Sequence, residues 1–67
     1  MNVRVNGEPR VVHDGATVAD VVHALVDSAE RGIAVALDGD VVPRSEWPAT
    51  RVADGQQVEV LRAVQGG

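Results

Sequence analysis

The chain has 67 residues, which is enough for one small domain with a modest hydrophobic core and little room for a buried active site. Its formal net charge of −4 argues against a nucleic-acid partner and against an anionic membrane surface, because both require a basic patch. It contains no cysteine, which excludes disulfides and thiol catalysis, and no apolar run long enough to span a membrane, so we expect a cytoplasmic protein.

The first twelve residues, MNVRVNGEPRVV, predict a β-hairpin. Val3 and Val5 alternate with polar residues, which is the period of a half-buried strand. Asn6-Gly7 is a dipeptide favoured in type I′ turns, where both central residues have positive φ. Pro9 lacks a backbone N–H, which suits an edge strand or the first residue of a strand.

The next stretch, TVADVVHALVDSAERG, predicts a helix. Thr17 is the expected N-cap, and Asp20 completes a capping box, although Glu or Gln is more usual at that position. Gly32 fits the C′ position, where φ is usually positive. An apolar stripe at helical spacing contains Val18, Val21, Val22, Leu25, Val26 and Ala29. The opposite face carries Asp20, His23, Asp27 and Glu30, and we expect it either to be solvated or to dock a partner.

The second half of the chain predicts three short strands. IAVALDGDVV reads as a strand, an Asp38-Gly39 turn and a short strand. PRSEWPA is irregular, and Ser45 could cap a single helical turn within it. Trp47, the one aromatic residue, is expected either to close the core or to serve as an exposed interface anchor. After the turn-rich TRVADGQQ, VEVLRAV is the last strand.

This order of elements predicts an α+β fold with one helix packed across a mixed sheet of four to five strands. The order resembles the β-grasp, or ubiquitin-like, fold. That resemblance implies a last strand in the centre of the sheet, parallel to the first strand. We expect residues 1–64 to form a single domain and residues 65–67 to be a flexible Gly-Gly tail.

The last strand has one apolar residue more than simple alternation allows. Val58 and Val60 share the face expected to be buried, so Leu61 should point to solvent. A β-bulge could return Leu61 to the core. Alternatively, Leu61, Ala63 and Val64 form an apolar docking patch beside the tail.

No side chain in the sequence points to catalysis or to a metal. His13 and His23 lack ligand spacing and are expected to be solvated. Nothing in the sequence places Ser45 in a hydrolytic set. The acidic turns DGDVV and ADGQQ lack the remaining ligands of a calcium loop. We therefore expect no catalytic residue, no metal and no bound cofactor.

The terminal Gly66-Gly67 pair suggests chemistry at the end of the main chain. A partner enzyme could use ATP to convert the Gly67 carboxylate to an acyl-adenylate, so the chain would need no catalytic side chain. Gly66 has no Cβ to obstruct a narrow channel and adopts whatever backbone conformation the channel imposes.

Two stretches, GIAVALDGDVVPRSEW and VADGQQVEVLRAVQGG, resemble the ThiS family of sulfur carriers in thiamine thiazole biosynthesis. The resemblance implies that an E1-like adenylyltransferase of the ThiF type adenylates Gly67. A sulfur donor system then forms a thiocarboxylate, and a thiazole synthase of the ThiG type takes the sulfur. Gly67 would carry the sulfur, and Gly66 would provide clearance and flexibility.

The same resemblance places partner docking at the base of the tail, on Leu61, Arg62, Ala63 and Val64. Arg62 could meet an acidic groove on a partner or form a local salt bridge. Two alternatives remain within the fold: a β-grasp sulfur carrier for molybdopterin or cysteine synthesis, and a ubiquitin-like protein modifier. A third is an interaction module whose tail has no function.

Overall fold

The computed structural model describes residues 1–26 and 32–62. In chain order the elements are β1 (Asn2–Val5), β2 (Glu8–Val11), α1 (Val18–Leu25), β3 (Ile33–Leu37), β4 (Asp40–Val42), a 3₁₀ helix (Arg44–Ala49) and β5 (Gln57–Arg62). The strands form one sheet in the order β2-β1-β5-β3-β4. The last strand is therefore the central one, as predicted. Among the described residues, no helix is long and apolar enough to cross a membrane.

The central strand β5 joins the two hairpins into one mixed sheet. It pairs in parallel with β1, where Val5 lies opposite Val58, and antiparallel with β3, where Val35 lies opposite Val60. Each hairpin is antiparallel. Because β5 has a neighbour on both sides, it runs through the middle of the fold towards the C-terminus.

The core lies between α1 and one face of the sheet. The helix contributes Val18, Val21 and Val22, each no more than 2% exposed. The sheet contributes Val3, Val5, Val35, Val58 and Val60. Burying one valine side chain stabilises the fold by roughly 1.5–3 kcal/mol, which favours this face of every strand over its opposite face. No charged or polar side chain is buried among the described residues.

Both predicted hairpin turns are confirmed. Asn6 and Gly7 have φ of 52° and 84°, and Asp38 and Gly39 have φ of 49° and 88°. Positive φ at both central residues is the geometry of a type I′ turn, whose twist matches that of the flanking strands. Pro9 lies in β2, an edge strand, which also agrees with the sequence.

The helix begins as predicted but ends earlier. Thr17 Oγ1 accepts from the Asp20 N–H, and an Asp20 carboxylate oxygen accepts from the Thr17 N–H, so the capping box is complete. The last helical N–H to donate is that of Val26, which is itself extended with φ of −135°. The predicted continuation through Asp27, Ala29 and Glu30 lies outside the described residues.

The expectation that Gly32 is the C′ residue of this helix is wrong. Gly32 does have the positive φ expected of it, 74°, but it comes six residues after the C-cap, Val26. The physical reason lies in the composition of the helix. β-Branched valines have low helix propensity, so the helix extends only as far as its valines are buried against the sheet. Val22 is 2% exposed, whereas Val26 is only half-buried.

Trp47 is a core residue and not an exposed anchor. Its side chain is 4% exposed, and its indole N–H donates to the Val42 carbonyl at 2.9 Å. The predicted cap on the helical turn is wrong, because Ser45 lies inside the 3₁₀ helix and the N-cap is Pro43, which has no side-chain cap. The Pro43 carbonyl instead accepts from the Glu46 N–H, which starts the helical turn.

Candidate functional site

The candidate site is the end of β5, where the chain approaches its C-terminus. Leu61 and Arg62 are the last two residues of this strand. The other residues predicted for the site, Ala63, Val64, Gly66 and Gly67, lie outside the described residues, as does the boundary predicted at residue 65. The described part of the site is therefore the base from which the predicted tail starts.

Leu61 points away from the core, because β5 contains no bulge opposite β3. The pairing runs without interruption from Leu37 opposite Val58 to Ile33 opposite Arg62, and Leu61 lies opposite Ala34. Successive side chains alternate between the two faces, so burial of Val60 places Leu61 on the outer face. Leu61 is 59% exposed. The bulge alternative is wrong, and Leu61 is available to a partner.

Leu61 belongs to a group of apolar residues on the outer face, which we call the outer patch. On β3, Ala34 lies opposite Leu61, and Ala36 is two residues further along the same face. Ala36 lies opposite Val41 of β4, which is 76% exposed. The outer patch thus comprises Leu61, Ala34, Ala36 and Val41. It crosses the three adjacent strands β5, β3 and β4.

The other side of the strand end borders an open groove of about 430 Å³. The groove lies between the end of α1 and the end of β5 and is lined by Asn6, Leu25, Val26, Val60, Leu61 and Arg62. Leu61 therefore contributes both to this groove and to the outer patch. A partner that binds the base of the tail can contact both surfaces.

Asn6 holds the backbone of β5 at this point. Its side-chain Oδ1 accepts from the Val60 N–H at 2.8 Å, and its Nδ2 donates to the Val60 carbonyl at 3.2 Å. The sequence assigned Asn6 only to a turn. No local signal could have revealed this contact, because the two residues are 54 positions apart.

The described side chains form no catalytic constellation. His13 and Asp20 approach each other at 3.7 Å, but both are exposed and lie at the start of the helix. The pKa of Asp20 is lowered, chiefly because its carboxylate accepts a hydrogen bond from the Thr17 backbone N–H, and this serves the capping box. In residues 1–26 and 32–62, no three His, Asp or Glu residues are grouped so as to hold a metal ion.

The fold and the site define a ubiquitin-like protein of the β-grasp class. Its mixed sheet has the last strand in the centre, one α-helix packs across one face, and the central strand leads to a terminal Gly-Gly in the sequence. The model of the ThiS family matches residues 3–67. The sulfur carrier protein ThiS of Escherichia coli (strain K12) is 30% identical over 67 residues and covers both chains completely.

Two solved structures agree with this assignment. A crystal structure of the thiamine biosynthesis protein ThiS from Geobacter metallireducens has a TM-score of 0.78 and 36% identity, with both chains covered completely. A solution structure of a thiamine biosynthesis protein from the same organism has a TM-score of 0.77 and 40% identity, covering all of this chain and 88% of the other. The chain belongs to the ThiS family and is a sulfur carrier of thiamine biosynthesis.

Proposed function

We propose that the chain carries sulfur as a thiocarboxylate on its terminal residue, Gly67, and that it acts as a protein cosubstrate without catalytic residues of its own. The observation that carries the proposal is the course of β5, which runs unbulged through the centre of the sheet towards the C-terminus. The family match supports it, because it extends through Gly67.

The chemistry requires only the main-chain carboxylate. A carboxylate oxygen of Gly67 attacks the α-phosphorus of ATP, so that a C–O–P linkage forms and pyrophosphate leaves. A sulfide nucleophile then attacks the carbonyl carbon, the bond from carbon to the AMP oxygen breaks, and AMP leaves. The product is a thiocarboxylate in which one oxygen has been exchanged for sulfur, with no net oxidation or reduction. ATP is bound by the partner and not by this chain.

The partners that fit this chemistry are an E1-like adenylyltransferase of the ThiF type, a sulfur donor system and a thiazole synthase of the ThiG type. We propose that they dock at the base of the tail on Leu61, Arg62, Ala63 and Val64. The exposed Leu61 supports this location, and the outer patch extends it to Val41. Because the partner uses ATP, we place the protein in the cytoplasm.

The first test is the intact mass of the chain. The protein is incubated with ATP, sulfide and the matching adenylyltransferase, and we expect exchange of one oxygen for one sulfur, located on Gly67 by fragmentation. A chain that stays unmodified beside a demonstrably active enzyme would refute the proposal. Gly67 conjugated to lysines of other proteins would instead support the modifier alternative.

The variant Gly67→Ala tests the role of the bare terminus. We expect an unchanged melting temperature and a rate of adenylation reduced at least about tenfold, because a Cβ at the terminal residue obstructs the approach to the phosphate. The matched control is Gln65→Ala, which replaces a tail residue that already has a Cβ and should leave the rate within about twofold. Adenylation of Gly67→Ala at the wild-type rate would show that clearance is not required.

A further inference from the structure

We propose that Asn6 is a positioning residue, which holds the end of β5, the base from which the predicted tail starts, in a fixed position for the partner. This inference rests on the proposed function, since it assumes that a partner must receive the tail. Asn6 lies in the β1–β2 turn, on the border of the groove that also contains Val60 and Leu61.

Three hydrogen bonds join Asn6 to β5. Its main-chain N–H donates to the Val58 carbonyl at 2.9 Å. Its side-chain amide binds both the N–H and the carbonyl of Val60, at 2.8 and 3.2 Å. The main chain of Asn6 therefore binds Val58, and its side chain binds Val60, the residue immediately before Leu61 in the central strand.

The Asn6 side chain binds β5 where the next backbone groups of β1 would bind it if that strand continued. β1 ends at Val5, and the backbone then turns away with φ of 52° at Asn6. In a continuing parallel ladder, Val60 would find its partners on the backbone of the neighbouring strand. The carboxamide supplies one donor and one acceptor in the same plane, as a peptide group does, and extends the ladder by one step.

This double role accounts for asparagine at the position. Glycine and aspartate also tolerate positive φ in a turn of this type. Glycine has no side chain to bind Val60, and an ionised aspartate has no donor for the Val60 carbonyl. Removing the amide leaves the N–H and the carbonyl of Val60 without these two hydrogen bonds.

The molecule contains a matched control in its other hairpin. Asp38 is the first central residue of the β3–β4 turn and has φ of 49°. Its Oδ1 accepts from the Gln57 N–H at 2.9 Å, and its Oδ2 accepts from Gln56 Nε2 at 3.0 Å. Asp38 thus anchors the start of β5 as Asn6 anchors its end. A substitution at Asp38 repeats the same kind of loss at the end of the strand remote from the tail.

The experiment compares Asn6→Gly, Asn6→Asp and Asp38→Gly with the wild type, all at a temperature where each is fully folded. Amide hydrogen exchange at Val60 reports the anchor itself. The kcat/KM for adenylation by the matching adenylyltransferase reports whether the reaction with the partner depends on these hydrogen bonds.

We expect Asn6→Gly to speed exchange at Val60 and to lower kcat/KM, each by about tenfold, because two hydrogen bonds to the backbone of Val60 are lost. Asn6→Asp, which retains the acceptor, should lie between the wild type and Asn6→Gly. Asp38→Gly should leave kcat/KM within about twofold of the wild type.

Two results would overturn the inference. Wild-type kcat/KM in Asn6→Gly would show that the anchor is not used by the partner. Equal losses in Asn6→Gly and Asp38→Gly would show that general stability, and not position, controls the reaction. If the wild-type chain itself is not adenylated, the proposed function fails. The exchange data then decide separately whether Asn6 holds Val60, and unchanged exchange in Asn6→Gly would reject that role as well.

Discussion

Several residues in this small domain meet a local conformational requirement and also contact another part of the fold. Asn6 and Asp38 provide the positive φ that their turns require, and their side chains bind opposite ends of β5. Trp47 fills the core and donates to the Val42 carbonyl. Because a chain of this size has few core residues, a core residue such as Trp47 carries a large share of the stability.

Trp47 is the residue whose truncation should be most damaging. Trp47→Ala removes a buried ring and leaves a cavity, which is expected to destabilise the fold by about 3–5 kcal/mol. A domain of this size has only about 3–5 kcal/mol of stability, so the variant should be largely unfolded. Circular dichroism during urea unfolding measures the loss.

The control for Trp47→Ala is Arg44→Ala. The Arg44 guanidinium lies over the Trp47 ring, 5.2 Å from its centre, and the residue is exposed. A cation–π contact at an exposed site contributes about 0.5–1 kcal/mol, so this variant should remain folded. Similar losses in the two variants would contradict the assignment of Trp47 to the core.

The capping box predicts how stability depends on pH. The hydrogen bond from the Thr17 backbone N–H lowers the pKa of Asp20 below its ordinary value of 3.8. The folded chain therefore binds this proton less readily than the unfolded chain does. The stabilisation is present above about pH 4 and is lost as the pH falls through the lowered pKa.

Melting temperatures of the wild type and Asp20→Ala, measured against pH, test this dependence. The wild type should be more stable near about pH 6, and the difference should disappear in acid once the carboxylate is protonated. A difference that stays constant down to about pH 2 would contradict a role for the ionised carboxylate.

At the scale of elements, the edge strand β2 illustrates how the sheet is terminated. Its four residues are all exposed, and Pro9 lies opposite Arg4 of β1. The Arg4 N–H donates to the Gln56 carbonyl, towards β5, so this pair exchanges no hydrogen bond and the backbone nitrogen of Pro9 faces outwards. Proline at that position removes a donor that another strand could have used.

The variant Pro9→Thr should therefore increase self-association. It restores an outward N–H next to Val11, which is 82% exposed. Sedimentation velocity over a range of concentrations should reveal a larger fraction of dimers or larger species than the wild type forms. Val11→Thr is the control, since it introduces the same residue on the same edge without a new backbone N–H. A strictly monomeric Pro9→Thr would show that the proline does not protect the edge.

At the scale of the whole molecule, the two faces of the sheet have different tasks. The helix and Trp47 cover the inner face, so substitutions there affect folding. The outer face displays the outer patch, with Leu61 and Val41 exposed, beside the end of β5. In the part of the chain that the structure describes, one α-helix accompanies five strands, and a single helix covers only one face of a sheet.

Two neighbouring residues of β5 test this division. Leu61→Asp should change the free energy of unfolding by no more than about 1 kcal/mol, because Leu61 faces solvent, yet weaken binding of the adenylyltransferase at least about tenfold. Val60→Asp makes the same change one residue earlier and should unfold the protein, since it buries a charge. Calorimetry of binding and thermal melts distinguish the two. A large loss of melting temperature in Leu61→Asp would place Leu61 in the core.

Much of the architecture could be predicted from the sequence because it follows local rules. Asn6-Gly7 and Asp38-Gly39 specify turns through their backbone preferences, and alternating valines identify which faces of the strands are buried. The terminal Gly-Gly and the motifs around Trp47 indicated the family. Each of these signals is contained in a few consecutive residues.

Only the tertiary structure decided the rest. It placed Trp47 inside, ended the helix at Leu25, left Ser45 without a capping role and put Leu61 on the outer face. It also joined Asn6 to Val60 across 54 positions. Each outcome depends on contacts between segments distant in the chain. A hydrophobic residue or a turn asparagine looks the same in sequence whether or not such a partner is present, and the assembled sheet supplies that partner.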